Sequence, residues 1–319
     1  MLVEEKLELI RRNTSEIVTE KELEQLLNEK TCPVVYCGYE PSGPAHLGHF
    51  MTMVKLMDFE KVGFKVKILL ADVHAFLNRK NTREELSKNV EVWRKTIKAI
   101  GLNAEVVLGS DYQFEKEYQL DIMKLACAFS INRGLRSMAE IARDIENATI
   151  SQMWYPLMQV VDMKYLDVDV AEGGLEQRKV HMMGREAVGI TGHPFVAVHT
   201  PLICSLKGPG EKMSKSSPGS GISITDTCID IEQAIKNAYC PLKETKDNPI
   251  LDILRFIIFP LIPEIKVERP SKFGGDVYYS TFDLLEKDFL NGSLHPMDLK
   301  NTVAKNLETI IDPIREKCF

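Results

Sequence analysis

Two histidines three residues apart, His46 and His49, close the stretch GYEPSGPAHLGHF at residues 38–50. It follows the apolar run PVVYC and leads into MTMVKLMDFEKVGF, whose apolar residues recur at helical spacing, so it reads as a loop carrying a strand into a helix. Ligands of open α/β sheets bind outside the carboxyl ends of strands, and a helix start offers unpaired N–H groups and a positive dipole end to an anion. Gly43 and Gly48 let a bulky ligand approach the backbone, and His46 and His49, on one helical face, can donate hydrogen bonds to phosphate oxygens. A zinc pair and an incidental pair of helix-capping core histidines are the competing readings; for zinc, no third ligand stands at suitable spacing.

A second polar stretch is YPLMQVVDMKYLDVD, which places Tyr155, Gln159 and Asp162 at i, i+4 and i+7 on a helix otherwise crowded with Met153, Leu157, Met158, Val160, Val161 and Met163. Buried polar groups without partners cost roughly 1 to 3 kcal/mol each. The stripe therefore pairs internally, as a buried network with a neighbouring helix, or is satisfied by a ligand. A third stretch, TPLICSLKGPGEKMSKSSPGSGIS, lies in a loop over 197–224 too rich in Gly, Ser, Pro and Lys for any core; taken alone, its KMSKS at 212–216 fits a solvated surface loop.

The elements that must position these groups follow from periodicity. PVVYC (33–37), VKILLAD (66–72) and AEVVLGS (104–110) each precede a helical pattern, and near-continuous apolar strands suit a sheet buried on both faces. Alternating strand and helix predicts an α/β fold with a Rossmann-like, doubly wound parallel sheet. Thr19 followed by Glu22 predicts a capping-box start for a short helix over 19–29, and 115–165 reads as mainly helical. Helical segments at 226–239, 248–259 and 297–310, the last two joined by IPEIKVERPSKFGGDVYY, predict a helical carboxy-terminal domain.

Bulk properties narrow the class. With 40 Lys plus Arg against 46 acidic residues the formal charge is −6, so net charge alone does not announce a nucleic-acid partner and any such contact must be local. No run of about 18 apolar residues is present, and the acidic amino terminus lacks the order of a secretory signal, so a soluble, cytoplasmic protein is expected. Seven scattered cysteines without a C-x-x-C pair argue against a disulfide framework and a zinc knuckle.

HLGH resembles the HIGH signature of class I aminoacyl-tRNA synthetases, and KMSKS matches that class's second signature letter for letter, in the expected order. Over nearly its whole length the chain resembles the archaeal and eukaryotic branch of tyrosyl-tRNA synthetases. The resemblance implies a tyrosine phenol held by Tyr36 and Asp162, amino-group contacts from Tyr155, Gln159 and Gln177, and ATP bound around Gly38, His46, Gly48, His49 and the signature Lys212, Met213, Ser214, Lys215 and Ser216. Lysine is a compact point charge on a flexible stem, so Lys212 and Lys215 suit a mobile clamp on the leaving pyrophosphate. Mg²⁺ would accompany ATP and needs few protein ligands.

By the same likeness, tRNA would meet Arg136 and Arg178 at its acceptor stem. Phe273 in KFGGD, and His295 and Asp298 in LHPMDLKN, would lie around the anticodon, Phe273 as a stacking surface and Asp298 as a reader of a base edge. An ordinary turn and a helix start at Pro296 explain the same residues equally well, and a stray surface arginine explains either arginine. The implied division is a catalytic domain over 1–224, with a helical insertion at about 115–165, and an anticodon-binding domain over 225–319, in a homodimer joined through helices around 115–145. A tryptophanyl synthetase shares both signatures but does not need the Tyr36 and Asp162 pair. A small-molecule nucleotidylyltransferase lacks KMSKS, and a synthetase-like RNA-binding protein without catalysis has no need of the histidines, lysines and pocket residues together.

Overall fold

The structure is a computed structural model that describes residues 1–78, 81–139, 141, 147, 149–210, 213 and 217–318. Contacts divide the chain into two compact units, one of Met1–Gly43 and Lys55–Pro201, the other of Pro44–Val54 and Leu202–Phe319.

The first unit is built on a six-stranded sheet of β1 (Glu16–Val18), β2 (Val34–Tyr39), β3 (Lys65–Leu70), β4 (Ala104–Leu108), β5 (Val170–Gly174) and β6 (Val196–Thr200), in the order β1-β6-β5-β2-β3-β4. Strands β2 to β6 are parallel, and β1 pairs antiparallel with β6 at the edge. The order winds outward from β2 through β3 and β4, then back through β5 and β6, so the topological switch falls between β2 and β5. That is where such sheets bind their ligands. The three strands read from apolar runs are present. The run at 33–37 extends to Tyr39 because Gly38 and Tyr39 still pair with Leu69 and Leu70, while Ala71 and Asp72 leave β3 to start a helix. β5 and β6 complete the sheet.

Around it lie α1 (Val3–Arg11), α2 (Glu20–Glu29), α3 (Leu47–Lys61), α4 (Asp72–Leu77), α5 (Arg83–Ile100), α6 (Lys116–Ala128), α7 (Ile131–Met138), α8 (Ile150–Tyr165), α9 (Arg178–Glu186) and the short α10 (Val188–Thr191). α2 begins with the capping box expected of it: the Thr19 hydroxyl accepts from Glu22 N at 3.3 Å and Glu22 Oε2 accepts from Thr19 N at 2.9 Å. The buried Lys55 amine donates to the carbonyls of Leu9 (3.3 Å), Ile10 and Arg12 (2.7 Å), covering acceptors at the end of α1. Trp93 on α5 stacks on Tyr39 and donates Nε1–H to Gly43 O at 2.7 Å, tying down the loop after β2.

The second unit holds the first turns of α3 together with α11 (Cys228–Asn237), α12 (Pro249–Ile253), α13 (Phe259–Leu261), α14 (Phe282–Asn291), α15 (Pro296–Cys318) and an antiparallel pair, β7 (Ile265–Val267) and β8 (Val277–Tyr279). Asn248 caps α12, accepting from Ile250 N at 3.1 Å, and Pro249 follows at the helix start where its missing N–H costs nothing. A π-helical turn, Leu254–Ile258, joins α12 to α13. The connection between the last two predicted helices is therefore not only loop. It contains the β7–β8 pair, and the stretch after it forms α14, with Phe282, Leu285 and Phe289 buried and Gly292 left-handed at its close.

Candidate functional site

At the switch point β2 supplies Tyr36 and β5 runs into Gly173, Gly174 and the turn holding Gln177. Tyr36 is buried, and a Cβ on Gly38 would sit 2.6 Å from its Oη, so glycine at 38 is what allows the phenol to lie along the strand towards its carboxyl end. The predicted stripe on α8 is real: Tyr155, Gln159 and Asp162 are all buried, and Gln152 extends it by a turn, donating to Asn78 Oδ1 at 3.2 Å.

Asp162 is wholly buried, and its two oxygens differ sharply. Oδ1 accepts from Tyr112 Oη at 2.7 Å, Tyr118 Oη at 2.8 Å and Gln113 Nε2 at 2.9 Å. Oδ2 has no hydrogen-bond partner, and His74 Nε2, 3.5 Å away, has none either. Burial pushes the Asp162 carboxyl up, against the opposing pull of His74 and the three donors. Burial, then the Asp162 charge, holds the Tyr36 phenol well above its ordinary value, so Tyr36 stays protonated and able to donate.

Farther along the stripe, Tyr155 Oη donates to Glu40 Oε1 at 2.9 Å and packs edge-on against His74. Gln159 Nε2 donates to Gln177 Oε1 at 3.2 Å, leaving Gln159 Oε1 buried without a partner. Asp162 Oδ2, His74 Nε2, Gln113 Oε1 and Gln159 Oε1 are thus orphaned polar atoms set along or against one helix face. Each costs roughly 1 to 3 kcal/mol as it stands, a penalty that a polar ligand removes.

The histidine pair belongs to the second unit. His46 and His49 stack with ring centroids 3.8 Å apart. His46 Nδ1 accepts from Gly48 N at 3.1 Å and His49 Nδ1 accepts from His46 N at 3.3 Å, so each neutral ring carries its proton on Nε2 as a donor. A Cβ on Gly48 would lie 2.8 Å from His46 Cε1: glycine there makes room for the imidazole to fold back on its own helix start. Segment 45–47 is stitched to 222–224 by Leu47 N to Ile222 O and Ile224 N to Ala45 O, both 3.0 Å. At the other end of that loop the buried Met213 donates N–H to Ile203 O at 2.9 Å. Lys212, Ser214, Lys215 and Ser216 lie outside the described residues.

The residues expected to meet RNA lie at the surface. Arg136 is exposed on α7, and Arg178 opens α9 paired with Glu16. Phe273 is 62% exposed with Lys272 Nζ 4.9 Å from its ring centre. Asp298 Oδ2 accepts from His295 N at 3.2 Å and so also caps α15.

Reading the sequence did not find Tyr112, Gln113, Tyr118 or His74, which surround Asp162 from three other segments. Their signal lay in polar residues within runs that fold inward: DVHAFL on α4, and Tyr118 spaced four from Ile122 on α6.

A family described as tRNA synthetases class I (W and Y) matches residues 28–312. The tyrosine–tRNA ligase of Methanosarcina acetivorans is 48% identical over 316 residues, covering 98% of this chain and 99% of its own. That of Archaeoglobus fulgidus is 47% identical over 321 residues, covering 99% and 98%. The solved tyrosyl-tRNA synthetase of A. fulgidus complexed with L-tyrosine matches with a TM-score of 0.97 at 46% identity over the whole of both chains. A tryptophanyl-tRNA synthetase from Aeropyrum pernix matches with a TM-score of 0.73 at 20% identity, over 93% of this chain and 81% of its own, a likeness of fold alone.

Proposed function

The chain belongs to the class I tRNA synthetases that serve tryptophan and tyrosine, and from that membership we propose that it is a tyrosine–tRNA ligase, joining L-tyrosine to ATP as tyrosyl-adenylate and passing it to the 3′ end of tRNA(Tyr). The observation that carries the choice of amino acid is the buried Asp162, with one oxygen saturated by three donors and the other left for a ligand hydroxyl. Tyr36 contacts the same phenol. Phenylalanine would leave both groups buried and unanswered, and sites built to bond a hydroxyl reject the analogue lacking it by about 10⁴ to 10⁵; tyrosyl-tRNA synthetases are the standard instance of that rule, so the figure belongs to the class. Tryptophan brings no hydroxyl to Asp162, which disfavours the tryptophanyl alternative.

In the first step the tyrosine carboxylate attacks the α-phosphate of ATP and pyrophosphate leaves, so catalysis rests on positioning and on stabilising charge, with no protein nucleophile. Tyr155, Gln159 and Gln177 hold the amino group. The Nε2–H donors of His46 and His49 serve the phosphates, Lys212 and Lys215 the β and γ phosphates, and Gly38, Gly48, Met213, Ser214 and Ser216 complete the nucleotide site. Mg²⁺ would accompany ATP and neutralise its phosphates, needing few ligands from the protein.

In the second step tRNA lies along Arg136 and Arg178 at the acceptor stem and on Phe273, His295 and Asp298 at the anticodon. Residues 1–224 then form the catalytic domain and 225–319 the anticodon-binding domain. We put the homodimer contact on α6 and α7; the exposed apolar side chains of Leu120, Met123 and Ile131 support that reading. Among the described residues no helix is long and apolar enough to cross a membrane, and a cytoplasmic location accords with that. The test is ATP–pyrophosphate exchange with each of the twenty amino acids. Tyrosine alone should support it, and exchange with tryptophan in its place would overturn the reading.

A further inference from the structure

Arg178 opens α9 with its side chain 46% exposed, and both ends of its guanidinium are engaged by Glu16 of β1: Nε to Oε2 at 2.7 Å and Nη2 to Oε1 at 2.9 Å. Behind Glu16 the hydrogen bonds continue inward. Glu16 Oε2 lies 3.1 Å from Nδ1 of His199, its register partner on β6, and His199 Nε2 lies 3.1 Å from Nδ1 of His181 on α9. Both histidines are buried. His181 Cε1 and Gln177 Cγ lie 3.5 and 3.0 Å from the point where a Cβ on Gly173 would stand, so the inner imidazole and the Gln177 side chain share the space above that glycine.

Chemistry fixes the protons in this row of side chains. Glu16 is held below the usual carboxylate range, chiefly by Arg178, and accepts, so His199 Nδ1 must donate. Burial keeps His199 and His181 neutral, so His199 Nε2 accepts from His181 Nδ1–H, and His181 Nε2 is left a lone pair. The charged groups facing the row are Glu16 from β1 and Arg178 from α9, and among the described residues the only ionisable group acting on His181 is His199.

We propose that Glu16, His199 and His181 are positioning residues that couple Arg178 to the Gln159–Gln177 pair, so that an RNA phosphate taking Arg178 off Glu16 reverses the tautomer of His181 and weakens the grip on free tyrosine. This rests on the reading of Arg178 as an acceptor-stem contact and of the glutamines as the amino-group site. One proton enters from solvent at His181 Nε2, His181 Nδ1 passes its own to His199 Nε2, and the imidazolium of His199 replaces the guanidinium as the partner of Glu16. The inner histidine then offers a donor, where it had offered a lone pair, beside the site of an ammonium group. Docked tRNA thereby favours discharge of the activated amino acid over rebinding of a second tyrosine.

The test uses the full-length enzyme labelled with ¹⁵N-histidine. In the native protein His181 and His199 should both carry hydrogen on Nδ1 only. Arg178→Met should move the His181 proton to Nε2, protonate His199 at both nitrogens, and raise the tyrosine KM in pyrophosphate exchange without tRNA by about fivefold or more, above any loss in kcat. Adding Glu16→Gln removes the carboxylate that draws the proton and should bring both the tautomer and the KM back towards native. A merely structural role predicts instead that the double variant is worse than the single. An unchanged His181 tautomer in Arg178→Met, or no recovery in the double variant, overturns the coupling. An unaltered KM for tRNA in Arg178→Met separately overturns the acceptor-stem assignment.

Discussion

The pocket around Asp162 in the first unit and the carboxy-terminal end of the second, which we propose meet tyrosine and RNA respectively, use the same kinds of residue to different effect. Around Asp162, phenols, amides, an imidazole and a carboxylate are buried, and several of their atoms have nothing to bond. At the other end, Phe273, His295 and Asp298 are wholly or partly exposed, and Asp298 already has work as a cap. Polar groups in a core must be answered, whereas the same groups in water are answered by solvent. Burial is what turns residue type into an argument about a ligand.

The largest expected effect breaks the pocket. Asp162→Ala removes the acceptor of three donors along with the ligand's partner, and should cut tyrosine-dependent pyrophosphate exchange by about 1000-fold in kcat/KM. Unfolding measured on the same sample separates this from a failure to fold, and near-native exchange by a folded variant would remove Asp162 from the site. Next, Lys215→Ala should slow adenylate formation about 100-fold while leaving tyrosine binding within a few-fold. Weakened tyrosine binding at a normal rate would sink the clamp.

A buried carboxyl outside the pocket sharpens the contrast. Glu172 on β5 is buried, and burial outweighs the help that Cys37 and Thr200 give its charge, lifting it from 4.5 to about 8. Its pKa is raised on folding, so the folded protein keeps a proton that the unfolded chain releases above about pH 4.5. That stabilisation is full at low pH and lost as pH rises towards 8. Lys55, lowered to about 8, acts only above that window. Between pH 5 and 8 the native protein should therefore lose about 3 kcal/mol more than Glu172→Gln, in which the buried histidines act alike, with the tyrosine KM unchanged. Parallel stability curves would refute the assignment. The smallest effect is at the exposed end: Asp298→Ala should raise the KM for tRNA several-fold with exchange intact, at about 1 kcal/mol of stability from the lost cap. Loss of exchange as well would make its role structural.

What the sequence makes legible follows the same division. β2, β3 and β4 announce themselves because a strand covered on both faces must be apolar, and the α8 stripe because polar residues recur at helical spacing amid Met, Leu and Val. β5 stays hidden because Glu172, Gly173 and Gly174 break its run, and β1 because three residues are too few for a period. The shell around Asp162 is invisible for another reason. Tyr112, Gln113, Tyr118 and His74 come from β4's exit, α6 and α4, and only the tertiary fold makes them neighbours. The β7–β8 pair escaped because the prolines and glycines of its segment read as pure turn.

The antiparallel strand β1 also has a protective role. Glu16, Ile17 and Val18 occupy the open side of β6, whose backbone donors and acceptors would otherwise template the addition of a foreign strand. Shortening the chain past residue 18 should therefore do more than disturb Glu16. It should bare a sticky margin and turn a covered sheet edge into a seed for aggregation.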